Sequence, residues 1–140
     1  MARKTTIELL GHDAMMDALI DGTLTNFIDD SVVLIGDSAF AAKANLTKVD
    51  LGNCKKLDRC AFMSCPMLET VVLRSEEACF IGASCFLGTP LTSGACYIYV
   101  PRALLATYET QAYASAYLFR ALEDYTVDGT IHGELDESKI

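Results

Sequence analysis

Residues 35–40 read Ile-Gly-Asp-Ser-Ala-Phe, and related hexapeptides return at residues 57–62 (Leu-Asp-Arg-Cys-Ala-Phe) and 81–86 (Ile-Gly-Ala-Ser-Cys-Phe). A leucine and an extended apolar segment follow each copy. Three apolar residues also recur at a spacing of 22: Leu46 and Leu68, Val49 and Val71, Leu51 and Leu73. A recurrence of this length is that of one supersecondary unit, so the chain is predicted to be an α/β repeat protein whose parallel strands stack from unit to unit.

The repeats divide the chain into four predicted regions. Residues 1–21 are a predicted N-terminal helical cap, because Thr5 to Glu8 has capping-box spacing and apolar residues follow at helical intervals. Residues 22–101 hold about 2.5 to 3.5 repeats. The Ala- and Leu-rich residues 102–124 predict a C-terminal helical cap, which would cover the apolar face of the last repeat. Residues 125–140 predict an acidic hairpin, from Asp128-Gly129, and a free or partner-bound tail.

The repeat pattern resembles a known family. Ile-Gly-x-x-Ala-Phe, followed about six residues later by Leu-x-x-Val-x-Leu, is similar to the BspA-type leucine-rich repeat over residues 22–101. The ending, Tyr97 to Pro101 with Leu104, Tyr108 and Tyr117 after it, is similar to the way short members of that family end. Those short forms, including ones with an acidic segment like Glu123 to Thr130, are similar to proteins encoded by tailed bacteriophages of Gram-positive and gut bacteria. The resemblance implies a short leucine-rich-repeat solenoid for adhesion or protein binding, with no catalytic residues. Most relatives stack more units, so caps or oligomerisation would have to stabilise this one.

Composition and charge argue against several classes of partner. With 51% hydrophobic and 21% charged residues, the chain has the composition of a globular domain with a modest core. The net charge is −8, and residues 123–140 hold six acids and one lysine, which leaves −3 for the other residues. No basic stripe exists to displace counterions from phosphates, so nucleic-acid binding is not expected. No run of apolar residues approaches the length of a membrane span, so membrane insertion is not expected either.

The six cysteines, at positions 54, 60, 65, 79, 85 and 96, are predicted to be reduced thiols. Acidic residues interrupt the segment after Arg3 and Lys4, so it lacks the apolar core of a signal peptide, and a reducing cytoplasm keeps thiols free. The cysteines form no C-x-x-C pair and have no histidine close by, so neither a metal nor a cofactor is expected. Cys60 takes the repeat position of Ser38 and Ser84, as a small residue in a small slot.

A candidate binding surface follows from the alternation of side chains along the repeat strands. If Val49 and Leu51 point inward, Lys48 and Asp50 point outward. With their equivalents in the other repeats they form a row: Asn26, Ile28, Lys48, Asp50, Thr70, Val72, Tyr97 and Tyr99. Tyrosine is favoured at interfaces because it joins apolar area to a polar tip. The alternative is that the row only covers the surface or packs against the caps.

One short motif raises the question of catalysis. Gly36-Asp37-Ser38 matches the nucleophile block of a family of esterases, in which a distant Asp and His complete the relay. Ser38, however, aligns with Cys60 and Ser84 of the other repeats, and the downstream His132 lies in the predicted hairpin. The sequence therefore predicts no catalytic residue, with an esterase using Ser38 as a third hypothesis.

These patterns together predict a non-enzymatic binding or structural protein. The resemblance favours a virion component, tail-associated or capsid-attached, made in the host cytoplasm and released with the particle without a signal peptide. Other virion proteins or further copies of the chain are the expected partners, and a host-surface receptor is a further candidate. The alternative is a cytoplasmic leucine-rich-repeat scaffold of a bacterium.

Overall fold

A computed structural model of the protein describes residues 7–9 and 25–122. This part of the chain is a mixed α/β structure with few helices. The described residues include a short α-helix, α1 (Leu105–Glu109), and the 3-10 helices Pro90–Thr92 and Arg102–Leu104. The strands in the same part of the chain are β1 (Ile7–Leu9), β2 (Asn26–Asp29), β3 (Val32–Ile35), β4 (Lys48–Leu51), β5 (Lys56–Leu57), β6 (Thr70–Leu73), β7 (Phe80–Ile81), β8 (Tyr97–Val100) and β9 (Leu118–Ala121).

The strands form two parallel sheets. One has four strands in the order β1-β3-β5-β7, and the other has five in the order β2-β4-β6-β8-β9. Phe27 pairs with Val49, Val49 with Val71, and Val71 with Ile98. The recurrence of 22 residues is therefore the distance along the chain between the paired strands β2, β4 and β6, whereas Ile98 on β8 follows its partner Val71 by 27 residues. The same spacing extends to the first strand of this sheet, because β2 pairs in parallel with β4.

The phenylalanines that end the hexapeptides stack in the core between the sheets. Phe40, Phe62 and Phe86 are fully buried, with ring centroids 5.1 Å and 5.5 Å apart. The three rings thus form a buried ladder, and two further rings extend it. Phe27 adds a tilted ring 4.8 Å from Phe40, and Tyr117 meets Phe86 edge-on at 5.2 Å. A continuous aromatic column joins all units described.

The fourth residue of each hexapeptide has a left-handed backbone conformation. Ser38, Cys60 and Ser84 have φ between 56° and 59°, although none of them is glycine. Such a conformation costs about 1–2 kcal/mol for a residue with a Cβ. Stacked backbone hydrogen bonds from one unit to the next hold it, such as Phe40 N–H to the Ala61 carbonyl (2.8 Å) and Phe62 N–H to that of Cys85 (2.9 Å). The small residues Ser38, Cys60 and Ser84 therefore occupy the left-handed positions of the turns.

At the N-terminus, the predicted helical cap over residues 1–21 is wrong where the structure describes it. Ile7–Leu9 form a strand, β1, that pairs in parallel with β3 and extends the four-stranded sheet. Pairing along an existing sheet edge satisfies backbone groups at once, whereas a short helix must first form a costly nucleus. The remainder of the predicted cap lies outside the described residues.

At the C-terminus, the predicted helix over residues 102–124 is also wrong. The α-helix covers only Leu105–Glu109, and Leu118–Ala121 form β9, which pairs along all four residues of β8. A continuous helix would have left the edge of β8 without a partner. Phe119 also packs on Tyr108, with ring centroids 5.4 Å apart, in this arrangement. The predicted hairpin and tail at residues 125–140 lie outside the described residues.

Three side chains from residues 108–117 cover the end of the last repeat. The Tyr108 hydroxyl accepts a hydrogen bond from Cys79 N–H (2.7 Å), and the Tyr117 hydroxyl accepts one from Phe86 N–H (3.1 Å). The Gln111 amide accepts from Ile81 N–H (2.9 Å) and donates to the Cys79 carbonyl (2.8 Å). These groups take the places that the backbone of a following repeat would fill, so the edge of β7 is satisfied by side chains.

Candidate functional site

The predicted binding row lies on the side of the five-stranded sheet that faces away from the aromatic column, here called the outer face. Val49, Val71 and Ile98 belong to the main hydrophobic core, whereas Val72 and Tyr99 form a separate buried cluster. Alternation along β6 and β8 accounts for this division, as the sequence predicted.

The exposure of the row differs from the prediction. Asn26 is exposed, and Ile28, Thr70 and Tyr97 are half-buried. The other four are buried, with exposed fractions of 8% for Lys48, 1% for Asp50, 0% for Val72 and 8% for Tyr99. These four side chains therefore do not form an open surface. Their role in binding stays a prediction.

A buried ion pair crosses the outer face. Arg74 follows β6 and donates two hydrogen bonds to Asp50 on β4, from Nε to Oδ1 at 2.8 Å and from Nη2 to Oδ2 at 3.1 Å. The Arg74 side chain is 19% exposed and that of Asp50 only 1%. A bidentate pair of this kind satisfies a buried carboxylate and fixes its orientation. This explains how the protein can bury Asp50 on the outer face.

The aromatic end of the row is assembled with β9. The Tyr97 and Tyr99 rings lie 6.2 Å apart, and the Arg120 guanidinium lies 5.3 Å from the centre of the Tyr97 ring. Leu122, directly after β9, packs against the Val72 and Tyr99 cluster together with Tyr97. The sequence prediction missed Arg120 and Leu122 because it placed them in a helix.

A second row, on the outer side of the four-stranded sheet, is open to solvent. Leu34, Lys56 and Phe80 are in register on β3, β5 and β7. Phe80 is 44% exposed and meets the 52% exposed Tyr113 at a right angle, with centroids 6.5 Å apart. The Lys56 Nζ lies 5.9 Å from the centre of the Phe80 ring. We call Lys56, Phe80 and Tyr113 the aromatic patch.

Alternation along the short strands β5 and β7 is sufficient to predict part of the aromatic patch. Leu57 and Ile81 occupy matching positions in the repeats and are fully buried. Alternation therefore directs the preceding residues, Lys56 and Phe80, outward. Tyr113 could not have been found in this way, since it approaches Phe80 only through the tertiary fold.

Ser38 lies in the turn of its hexapeptide and is hydrogen-bonded to the neighbouring Asp37. Its hydroxyl donates a hydrogen bond to Asp37 Oδ1 at 2.7 Å, within a left-handed turn that Cys60 and Ser84 share. The other carboxylate oxygen of Asp37, Oδ2, accepts from Arg59 at 3.1 Å. Asp37 is therefore held by the next repeat. Both histidines of the chain, His12 and His132, lie outside the described residues.

The six cysteines are free thiols. Burial raises the pKa of the Cys85 thiol above its ordinary value. Cys54 and Cys79 influence each other through a hydrogen bond between their side chains, which lowers the pKa of Cys54 and raises that of Cys79. Within residues 7–9 and 25–122, no group of three or more histidine, cysteine or acidic side chains is placed to hold a metal ion.

Comparison with known proteins did not identify a relative. No family model matches the chain, and neither a curated protein nor a solved structure matches it. None of the helices in the described part of the chain is long and apolar enough to cross a membrane.

Proposed function

We propose that the protein is a short leucine-rich-repeat solenoid of the BspA type that acts as a non-enzymatic binding or structural protein. The observation that carries this proposal is the aromatic patch of Lys56, Phe80 and Tyr113 on a regular repeat scaffold. Isolated exposed apolar side chains are ordinary on a protein surface, but two large aromatic rings in mutual contact beside a cation form a more specific feature.

The chemistry of the patch suits a protein partner. Aromatic residues contribute most of the binding energy at many interfaces because each buries a large area at a small cost in conformational entropy. Lys56 adds a charge that can pair with an acidic group at the rim. Phe80 is part of β7, so the scaffold orients it before any partner arrives, and less ordering is needed on binding.

We propose the virion of a tailed bacteriophage as the setting, with the protein attached to the tail or the capsid. Support comes from the resemblance of residues 22–101 and of the chain's ending to short phage-encoded repeats. Other virion proteins or further copies of this chain are the proposed partners. A symmetric array would cover the patch on every copy without requiring any new core.

Purified phage particles from a host that carries the gene test the setting. Mass spectrometry should find the protein in particles at a constant ratio to the major capsid or tail proteins. The Phe80→Ala variant should be incorporated about tenfold less, as expected for a central aromatic contact worth more than 1 kcal/mol. Leu87→Ala is the matched control, because Leu87 is 53% exposed but lies outside the patch, and it should be incorporated normally.

Absence of the protein from purified particles would overturn the virion setting and favour the cytoplasmic scaffold. Normal incorporation of both variants would overturn the role of the aromatic patch. Hydrolysis of a simple ester by the purified protein, abolished by Ser38→Ala, would overturn the non-enzymatic proposal altogether.

A further inference from the structure

The outermost strands of the five-stranded sheet are β2 and β9. Among the described residues, β2 pairs with β4 on one side and β9 pairs with β8 on one side. An edge strand presents backbone N–H and C=O groups with which a further strand can pair. The four-stranded sheet differs at its β7 end, where Gln111 bonds to the backbone of Cys79 and Ile81. The C-terminal end of the repeats therefore offers β9, rather than β7, for pairing.

Both edge strands carry apolar side chains that are incompletely covered. Leu118 on β9 is 41% exposed, and Phe119 beside it is half-buried. On β2, Phe27 and Ile28 are half-buried. Val71 takes the position of Phe27 in a strand that has neighbours on both sides, and it is fully buried. An added strand would thus bury apolar area at either edge.

The pairing inside the protein indicates how β2 of a second copy would meet β9. Neighbouring strands of this sheet are parallel and pair residue by residue without a register shift, from β2 to β9. Continued by one strand, this register places Phe27 of the second copy beside Phe119 and Ile28 of the second copy beside Arg120. The apolar side chains of the two edges then face each other.

The backbone bonds at the ends of the strands can continue in the same way. Gly52 N–H donates to the Asp29 carbonyl at 3.0 Å, and Arg74 N–H donates to the Leu51 carbonyl at 2.9 Å. In each case the residue that follows one strand bonds to the last residue of the preceding strand. Between copies, the equivalent bond runs from Asp30 N–H to the Ala121 carbonyl.

The charges at the two edges match an ion pair that already joins two strands. Asp50 is the third residue of β4, and Arg74, which directly follows β6, approaches it to 2.8 Å. In the continued register, Arg120 is the third residue of β9 and Asp30 of the second copy directly follows β2. They have the same relation with the charges exchanged. Both side chains are exposed, so each is accessible to the other edge.

We propose that β9 of one copy pairs in parallel with β2 of a second copy, with Arg120 facing Asp30 across the contact. The five-stranded sheet then continues from one molecule to the next. The contact joins different surfaces of the two copies, so it produces a filament, or a ring if the rotation between copies closes. The inference does not rest on the proposed function, because the aromatic patch lies on the other sheet.

Sedimentation velocity of the purified full-length protein tests the association. The sedimentation coefficient should rise with protein concentration, and a monomer at every concentration up to about 1 mM would overturn the proposal. Arg120→Glu and Asp30→Lys should each weaken association about tenfold, because like charges then face each other. Lys55→Glu is the matched control, since it reverses an exposed charge beside the central strand β5 of the other sheet, and it should associate normally.

An equimolar mixture of the Arg120→Glu and Asp30→Lys variants identifies the surfaces that meet. Each variant alone opposes like charges, but in the mixture every β9 edge can meet a β2 edge of opposite charge. Association should therefore return to that of the unmodified protein. If the mixture stays dissociated, or if the single variants associate as well as Lys55→Glu does, the proposal is wrong.

A lysine on the edge strand tests the backbone pairing separately from the ion pair. Leu118→Lys should weaken association, because a charged side chain on an edge strand opposes the addition of another strand. Leu87→Lys is its control, since Leu87 is 53% exposed and lies in a turn. Circular dichroism should show that both variants are folded. Equal association of the two variants would contradict pairing at β9.

Discussion

Among single residues, Phe62 shows most directly how the repeat produces stability. Its ring is fully buried between those of Phe40 and Phe86, and the interplanar angle with Phe86 is only 8°. Phe62 therefore contacts two units at once, and its loss would open a cavity that neither neighbour can fill without breaking the regular spacing.

We predict that Phe62→Ala lowers the free energy of unfolding by about 3 to 5 kcal/mol, the usual cost of a cavity of this size. Phe80→Ala is a matched control, because the same atoms are removed from a side chain that is 44% exposed, and it should cost no more than about 1 kcal/mol. Urea denaturation of both variants checks the prediction. Equal losses would contradict the aromatic column.

Glycine is required at residue 82 for a different reason. A Cβ there would lie 2.8 Å from the backbone nitrogen of Arg59 and from the carbonyl carbon of Asp58 in the preceding repeat. Gly82→Ala should therefore destabilise the protein by about 1 to 3 kcal/mol, the range for overpacked sites. Gly94→Ala, where a Cβ meets nothing within 4 Å but φ is 84°, gives the cost of backbone strain alone, and the loss at Gly82 should exceed it. Thermal melting of the two variants provides the comparison.

Between elements, the closure of β7 by side chains determines how the repeats end. Gln111 offers both a donor and an acceptor to the backbone of Cys79 and Ile81. Gln111→Ala should cost about 1 to 2 kcal/mol, because the two backbone groups lose their partners. Gln111→Glu keeps an acceptor for Ile81 N–H but places negative charge against the Cys79 carbonyl. It should therefore be less stable at neutral pH than at a pH where the carboxyl is protonated, as denaturation at two pH values would show.

The same closure gives the protein an alkaline limit. Burial raises the pKa of Tyr108 above its ordinary value of 10.0, so the unfolded chain loses the phenol proton at a lower pH than the folded protein does. Stability from this group is fully present below pH 10.0 and is lost as pH rises further. Burial also raises the pKa of the Cys85 thiol above its ordinary value of 9.0, so its contribution to stability is lost at high pH as well.

Urea denaturation between about pH 8 and about pH 11 should therefore show falling stability, with a shallower decline above pH 10 in Tyr108→Phe. Tyr113→Phe should follow the unmodified protein, because Tyr113 is exposed. Identical slopes in all three proteins would contradict the assignment to Tyr108.

At the level of the complete protein, the distribution of thiols reports on the integrity of the fold. Cys60 and Cys96 are half-buried, and the other four cysteines are buried. Native protein should thus show two thiols that react readily with an aromatic disulfide reagent and four that react slowly, whereas denatured protein should show six. Intact disulfides in protein prepared without oxidant would contradict the expectation of reduced cysteines.

The sequence was sufficient for features that depend on repetition. The pairing of β2, β4 and β6 and the burial of Phe40, Phe62 and Phe86 follow from apolar residues returning at a fixed spacing, because stacked units must place equivalent residues side by side. The direction of Val72 and Tyr99 away from the core also followed from simple alternation. Each of these inferences uses local order that many neighbouring residues share.

The two ends and the exposure of the outer face were decided by tertiary contacts. The segment after Pro101 has the composition of a helix, yet Leu118–Ala121 form a strand because they pair with the edge of β8. Gln111, Tyr108 and Tyr117 cap the last repeat because their side chains bond to the backbone N–H groups of Ile81, Cys79 and Phe86. The candidate site changed for the same reason. Alternation gives the side of a sheet on which a residue lies, but whether that side meets water depends on what packs over it, as Asp50 shows by its burial beneath Arg74.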